Sequence, residues 1–403
     1  MWRQSESDSL FDGFVRIRRD IHAHPELKFE EHRTAEVVAD ALRKMSVDEV
    51  HVGIGGTGVV GVVRGRGRGP AGDCRAIGLR ADMDALPMSE KNVFEHASRH
   101  PGKMHACGHD GHTAMLLAGA KLICDARDDF VGTVHLIFQP AEEGGGGAKA
   151  MIDDGLFDRF DCDEVYAIHN WPGLPEGTFG LNAGPMMASS NQIEVLVKGK
   201  GAHAAMPHLG VDPVLVASHL IQAFQSVVTR TSKPVEPVVV SITQVQAGEA
   251  VNVIPDQCLL RGTVRTFSLA ALDAVEAGLA RICSQLPAAF GAQAQLTFDR
   301  QYPPTINHPE ATACVAAVAR DLVGSEQVIF PVEPTMGAED FAYMLLERPG
   351  SYIFLGNGDL SGEHRLTGHG LGPCALHNPS YDFNDQLIPL GARFWKSLVT
   401  SRL

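Results

Sequence analysis

The sequence predicts an α/β fold, a mostly parallel central sheet flanked by helices, with a ferredoxin-like βαββαβ unit inserted into it. Three observations lead there. Apolar strand-like runs (AIGLRAD from Ala76, TVHLIFQ from Thr133, EVYAIHN from Glu164) alternate with helical patterns, which implies parallel pairing through crossovers. Each run ends on or just before carboxylates or imidazoles, namely Asp84, Glu142 with Glu143, and His169, and such sheets gather functional groups at their carboxyl ends. From about residue 189 the pattern changes to strand 192–198, helix 212–230, strands 237–245 and 257–266, helix 269–290 and strand 293–300. The expected organisation is therefore a first domain in two parts, 1–188 and 302–403, around an insert at 189–301.

Taken in order, Leu10, Phe14, Ile17 and Ile21 recur at three- and four-residue steps, so residues 7–23 form an amphipathic helix ended near Pro25; a second runs from about Glu30 to Met45. His22 and His24, at the end of the first, read as structural. GIGGTG (Gly53 to Gly58) lacks both phosphate-loop and GxGxxG spacing and receives no nucleotide role. After the Ala76 strand, Asp82 and Asp84 suit either a metal site, as ligands or as clamps on a ligating imidazole, or ordinary turn chemistry. MHACGHDGHTAM (Met104 to Met115) reads as a glycine-punctuated loop before a helix at 113–126. Beyond the insert come helix 309–323, PTMGAEDFAYML, the strand SYIFLGNG, a loop with His364, His369 and Cys374, then LHNPSYDFND and a last helix from about Pro389; these return to complete the first sheet and bring His377 to its end.

Composition bounds the function. The 403 residues are 44% hydrophobic and 20% charged, ordinary for a globular chain of two or three domains. A formal net charge of -14 argues against a nucleic-acid partner, and RGRGRG (Arg64 to Gly69) is a solvated turn. Eight scattered cysteines without a CxxC pair fit reduced thiols in a cytoplasm. The N-terminus has no basic and apolar signal regions, and no apolar run is long enough to span a bilayer, so neither export nor a membrane partner is expected.

In MHACGHDGHTAM, thiolate and imidazole are the donors that borderline-soft divalent metals prefer, and Cys107 and His109 are spaced to point the same way; the same residues could equally be buried packing. QPAEEGGGG, AIHNWPG and LHNPSYDFND decide between these. Together with GAHAAMPH, NVIPD and GAEDFAYM, in this order along almost the whole chain, they resemble the amidohydrolase branch of the dinuclear-metal aminoacylase/carboxypeptidase superfamily, which includes hippurate hydrolases, N-acyl-amino-acid deacylases and auxin-conjugate hydrolases.

The resemblance implies a dinuclear zinc-peptidase-like fold whose insert serves as lid and dimerisation domain, giving a homodimer or a tetramer. It implies that Cys107, His109, Glu143, His169 and His377 hold two divalent metals (Mn, Zn, Co or Ni) and that Glu142 is general base and acid. Two dications against one thiolate and one carboxylate leave a positive surplus that suits a small-molecule substrate with a free carboxylate. His203 would steady the oxyanion, Asn252, Arg265 and Gly337 would contact substrate, and Asp84 and Glu339 would support the site from behind. Where the wider superfamily has His-x-Asp this chain has Asp82-Met83-Asp84, and Cys107 is the branch's substitute ligand. The implied activity is hydrolysis of N-acyl amino acids. The alternatives are a metallo-dipeptidase or carboxypeptidase and a non-catalytic metal-binding homologue, against which an intact Glu142 counts.

Overall fold

Burial on both faces is what makes the central strands continuous apolar runs. In the computed structural model, which describes residues 8–69, 72–360 and 367–403, the strands Ala76–Asp82 and Thr133–Gln139 are buried at every position after the first. They pair in parallel from Ala76↔Thr133 to Asp82↔Gln139; Glu164–Trp171 pairs in parallel on the other side of Ala76–Asp82, and Gly350–Gly356 in parallel beyond it. This register puts the carboxyl ends of the strands side by side, so the loops after Asp82 and Gln139 and the end of the Glu164 strand share one rim.

The sheet is not parallel throughout. A hairpin of Glu49–Ile54 and Gly58–Arg64 joins antiparallel to Thr133–Gln139, and Phe179–Gly180 lies antiparallel to Gly350–Gly356. The full order has eight strands with a parallel centre. GIGGTG is the turn of that hairpin, with Gly53, Gly55 and Gly56 at positive φ.

The helix His109–Asp125 packs between Asp8–Ala23 and Leu387–Arg402. Its contact with the last helix is close enough that a Cβ on Gly391 would lie 2.5 Å from Met115 Sδ. Leu116, Leu117, Leu136, Phe138 and Trp395 belong to the core so formed. The helix begins at His109, four residues before the sequence reading places it. Gly108 stands in the left-handed region at φ +93°, which starts the helix two residues after Cys107, and burial all around removes the amphipathic signal that would have marked that first turn.

The chain divides into two compact units. One runs to Gly184 and resumes over Ile306–Glu333 and Asp340–Leu403; the other is Pro185–Thr305 with Pro334–Glu339. The second unit has a four-stranded antiparallel sheet ordered Val238–Ala247, Gln257–Thr266, Ser190–Lys198, Gln293–Tyr302, with the helices Pro213–Ser226 and Leu269–Gln285 completing a βαββαβ order. Ile193, Val195 and Val197 alternate inward onto Leu220, Phe224, Val275 and Leu279. Both helices are capped: Asp212 accepts from the Val214 and Leu215 N–H groups, and the Ser268 hydroxyl oxygen from Ala271 N–H. No described helix is long and apolar enough to cross a membrane, and none of the eight cysteines is in a disulfide.

Candidate metal centre

Local structure aims the ligand-type side chains at one rim. Cys107 precedes the left-handed Gly108, and His109 opens the helix. Glu142 and Glu143 follow Ala141, a non-glycine residue at φ +53°, and His377 itself sits at φ +59°, its N–H donating to Ala106 O at 2.7 Å. Backbone held in this sparsely populated region by surrounding contacts is characteristic of functional sites.

These residues converge. Candidate ligand atoms of Cys107, His109 and His169 all lie within 4.8 Å of one another, as do those of Cys107, Glu143 and His377 and those of His109, Glu142 and Glu143. Cys107 Sγ is 3.4 Å from His169 Nε2, and Glu143 Oε1 is 3.1 Å from His377 Nε2. Metal bonds of about 2.0–2.3 Å at tetrahedral angles would put neighbouring ligand atoms roughly 3.3–3.7 Å apart, close to both separations.

The hydrogen bonds leave the right lone pairs available. His169 Nδ1–H donates to Asn170 O at 2.6 Å, so its Nε2 carries the lone pair toward Cys107. His109 Nδ1 bonds Asp84 Oδ1 at 3.2 Å, and Asp84 Oδ2 accepts from Glu143 N–H at 2.8 Å, so one carboxylate orients both residues. His109 Nε2 and Glu143 Oε1 are buried and form no hydrogen bond among the described residues; the 3.1 Å approach of His377 to Glu143 lacks hydrogen-bond alignment. Two orphaned buried atoms at the meeting point of five ligand-type side chains fit a divalent cation.

Electrostatics point the same way. Burial, reinforced by Glu143 and Glu142, pushes the Cys107 thiol well above its ordinary range, so a cation is what would make it a thiolate. Burial acts to lower the His109 pKa, but Asp82, Asp84 and Glu143 outweigh it and raise it to about 10, so the acidic surroundings that favour a cation put a proton on Nε2 that a bound cation would displace. Burial and the neighbouring His112 hold His169 well below its usual value, neutral and fit to donate a lone pair.

Sequence reasoning left several contributors without a role. His112, from the same motif, has both nitrogens occupied: Nδ1 bonds Asp82 Oδ1 at 2.6 Å and Nε2 accepts Asn170 N–H at 2.9 Å, so it braces rather than ligates. Asn170 also donates to Cys107 O at 2.7 Å and accepts the Tyr381 hydroxyl at 2.8 Å, tying three ligand-bearing segments together. Both residues lie inside the motifs AIHNWPG and LHNPSYDFND, the only signal that could have singled them out.

Beneath the rim, the fully buried Arg18 pairs with Asp110 at 2.8 Å and with Asp382, and lies 3.5 Å from Asp385. His22 bonds Asp110 at 2.9 Å and Glu90 at 3.3 Å. Burial lowers the His22 pKa, yet Asp110 and Glu90 overcome it and raise it to about 9. A folded-state value above the unfolded one of about 6.5 stabilises fully below pH 6.5 and is lost as pH rises through 9. The His22 contribution to the unfolding free energy should therefore fall between pH 6.5 and 9, by about 3 kcal/mol. Denaturant titrations at both pH values check this; an equal slope in His22→Gln would sink the assignment.

The other site candidates belong to the second unit, except Asp84. His203 is exposed on a two-residue ladder with Val253–Ile254, and its Nδ1 accepts Ala205 N–H at 3.0 Å. Asn252 is exposed. Arg265 is half-buried, donates to Ser190 Oγ at 2.8 Å and pairs with no carboxylate among the described residues. Gly337 N–H donates to Thr335 Oγ1 at 3.3 Å, and Glu339 is buried, its carbonyl accepting from the Thr305 hydroxyl at 3.4 Å. Cys374 is buried and donates to Asp382 O at 3.4 Å; neither it nor His369 joins a metal-type cluster among the described residues, and His364 lies outside them.

A mixed sheet with a parallel centre, carrying thiol, imidazole and carboxylate groups at its carboxyl rim, is an arrangement that suits a metal-dependent hydrolase. Residues 78–401 match Peptidase family M20/M25/M40, and the chain belongs to that family. It is 40% identical over 390 residues to the hippurate hydrolase of Campylobacter jejuni, covering 97% of this chain and 96% of that one. It is 40% identical over 349 residues to thermostable carboxypeptidase 1 of Saccharolobus solfataricus, covering 86% of each. Among solved structures, a Bacillus subtilis protein described as a dinuclear metal binding peptidase from the M20 family superposes with a TM-score of 0.83 at 32% identity, covering 98% of both chains.

Proposed function

We propose that this chain is a metal-dependent amidohydrolase that cleaves the amide of an N-acyl amino acid, hippurate-like or N-acetylated, to a carboxylic acid and a free amino acid. The observation that carries the reading is the pair of orphaned buried ligand atoms, His109 Nε2 and Glu143 Oε1, beside the neighbouring carboxylate of Glu142. Cys107, His109, Glu143, His169 and His377 would hold two divalent ions, Mn, Zn, Co or Ni, whose bound chemistry is to polarise the scissile carbonyl and acidify water. Two of the ligand groups share Cys107, an overlap that suits two neighbouring ions.

Glu142 accepts the proton of the attacking water and delivers it to the leaving nitrogen, so one carboxylate serves both half-steps. Glu143, held by its N–H on Asp84, keeps a different job from its neighbour. His203, with Nδ1 occupied by Ala205 N–H, carries its proton on Nε2 and is the donor for the developing oxyanion. Arg265, with Asn252 and Gly337, anchors the substrate carboxylate; a guanidinium without a carboxylate partner suits that task, and Glu339 supports the site. The chain works in the cytoplasm as a homodimer, or a tetramer, through its second unit.

A carboxypeptidase reading is favoured by one observation, the 40% identity to a thermostable carboxypeptidase, and it uses the same machinery on a peptide bond. An amine-release assay separates the two. N-acetyl, N-benzoyl and peptide substrates are offered to chelated protein with and without added Mn, Zn, Co or Ni. Chelation is expected to abolish turnover, and metal to restore it on acylated amino acids. Preference for peptides would transfer the assignment to the peptidase. Silence across the panel with two ions bound would remove catalysis from the reading.

A further inference from the structure

We propose that Glu31 is a positioning residue for Glu142: its carboxylate holds the backbone of Ala141 in the left-handed conformation that aims the catalytic glutamate. This rests on the role assigned to Glu142 above.

Four non-glycine residues among those described have positive φ: Phe29, Ser46, Ala141 and His377. Two of them, Phe29 and Ala141, donate their N–H groups to the same atom, Glu31 Oε1, at 3.0 and 2.9 Å. The other oxygen accepts the Thr57 hydroxyl. Glu31 is completely buried, and no lysine, arginine or histidine pairs with it among the described residues. A carboxylate taken out of water without a counter-ion is costly, and here all three donors are protein groups, two of them on strained backbone.

Without that acceptor, Ala141 N–H would be buried and unsatisfied, and the alanine would relax toward negative φ. Such a rotation swings the chain that follows, and Glu142 is the next residue. Glu143 is better protected, because its own N–H is held by Asp84 at 2.8 Å. Loss of Glu31 should therefore act on the proton shuttle more than on metal binding.

The test compares Glu31→Ala, Glu31→Gln and the double variant Glu31→Ala/Ala141→Gly in the metal-loaded enzyme. Glutamine keeps the oxygen that accepts both N–H groups, and glycine adopts φ +53° without strain. Glu31→Ala is expected to lose roughly 100-fold in kcat, with KM and metal content nearly unchanged. Glu31→Gln should stay near the parent, and the glycine should recover part of the loss. The second readout is amide hydrogen exchange, which should accelerate in Glu31→Ala, and not in Glu31→Gln, at the two segments that donate to this carboxylate, around Phe29 and over 140–147, and nowhere else in the chain.

A parent-like kcat and exchange in Glu31→Ala overturns the proposal, as does acceleration spread over the whole molecule. Should Glu31→Ala not fold, Glu31→Gln decides: a kcat drop beyond about tenfold, with faster exchange at 140–147, also overturns it. If the parent hydrolyses no N-acyl amino acid, the functional reading fails by itself, and the exchange data still judge Glu31.

Discussion

Glu142→Gln is expected to lower kcat by about 10³-fold while two ions remain bound per chain. Glutamine preserves the shape of the side chain and removes only its capacity to take and return a proton. The ions stay because the ligand-type groups of Cys107, His109, Glu143, His169 and His377 are untouched, and because Glu143 is held through its own N–H by Asp84. Steady-state kinetics on the best substrate of the panel, with metal analysis of the same preparation, tests both halves. A variant that keeps more than a tenth of the parent kcat would remove Glu142 from proton transfer. One that loses its metal would make it a ligand, a role its position near His109 and Glu143 also permits.

Gly108→Ala should damage both the stability and the metal centre of the molecule. At φ +93° an L side chain is strained, and the added carbon would lie 2.2 Å from Asn170 Nδ2 and 2.3 Å from the Tyr381 hydroxyl. Those two atoms carry the bonds that tie the Cys107 carbonyl to the segments bearing His169 and His377. Left-handed strain and overpacking together predict a loss of about 2–5 kcal/mol. Because the clash falls between Cys107 and His109, metal affinity should fall with stability. Thermal unfolding of the chelated protein, paired with metal titration of the folded fraction, separates the two effects. A stability change under about 1 kcal/mol would mean that Asn170 and Tyr381 can move aside and that their bonds do not brace the centre.

The alternation of strand and helix, and the clustering of chemistry at strand ends, were legible because both follow from local rules. A strand buried on both faces must be apolar throughout, and a parallel sheet must place its loops at one rim. Ala76–Asp82, Thr133–Gln139 and Glu164–Trp171 could be read from their own residues for that reason. The start of the next helix could not. His109, Asp110 and His112 form no apolar stripe, and the whole first turn is buried, so nothing in the pattern separates loop from helix there. The antiparallel margins were also hidden, since the pairing of Gly58–Arg64 with Thr133–Gln139 joins segments about seventy residues apart.

Residue types and spacing thus determined, without coordinates, the fold class, the family resemblance and the groups suited to bind a cation. Tertiary structure alone decided how those groups divide the work. Hydrogen bonds saturate His112 and leave His109 Nε2 without one, 3.7 Å from Asp82 Oδ2, although both histidines belong to one motif. Glu31 reaches Ala141 across 110 positions of sequence, and Asn170 meets Tyr381 across 211. Donor chemistry is a property of each residue, but which lone pair remains unpaired depends on what the fold sets beside it.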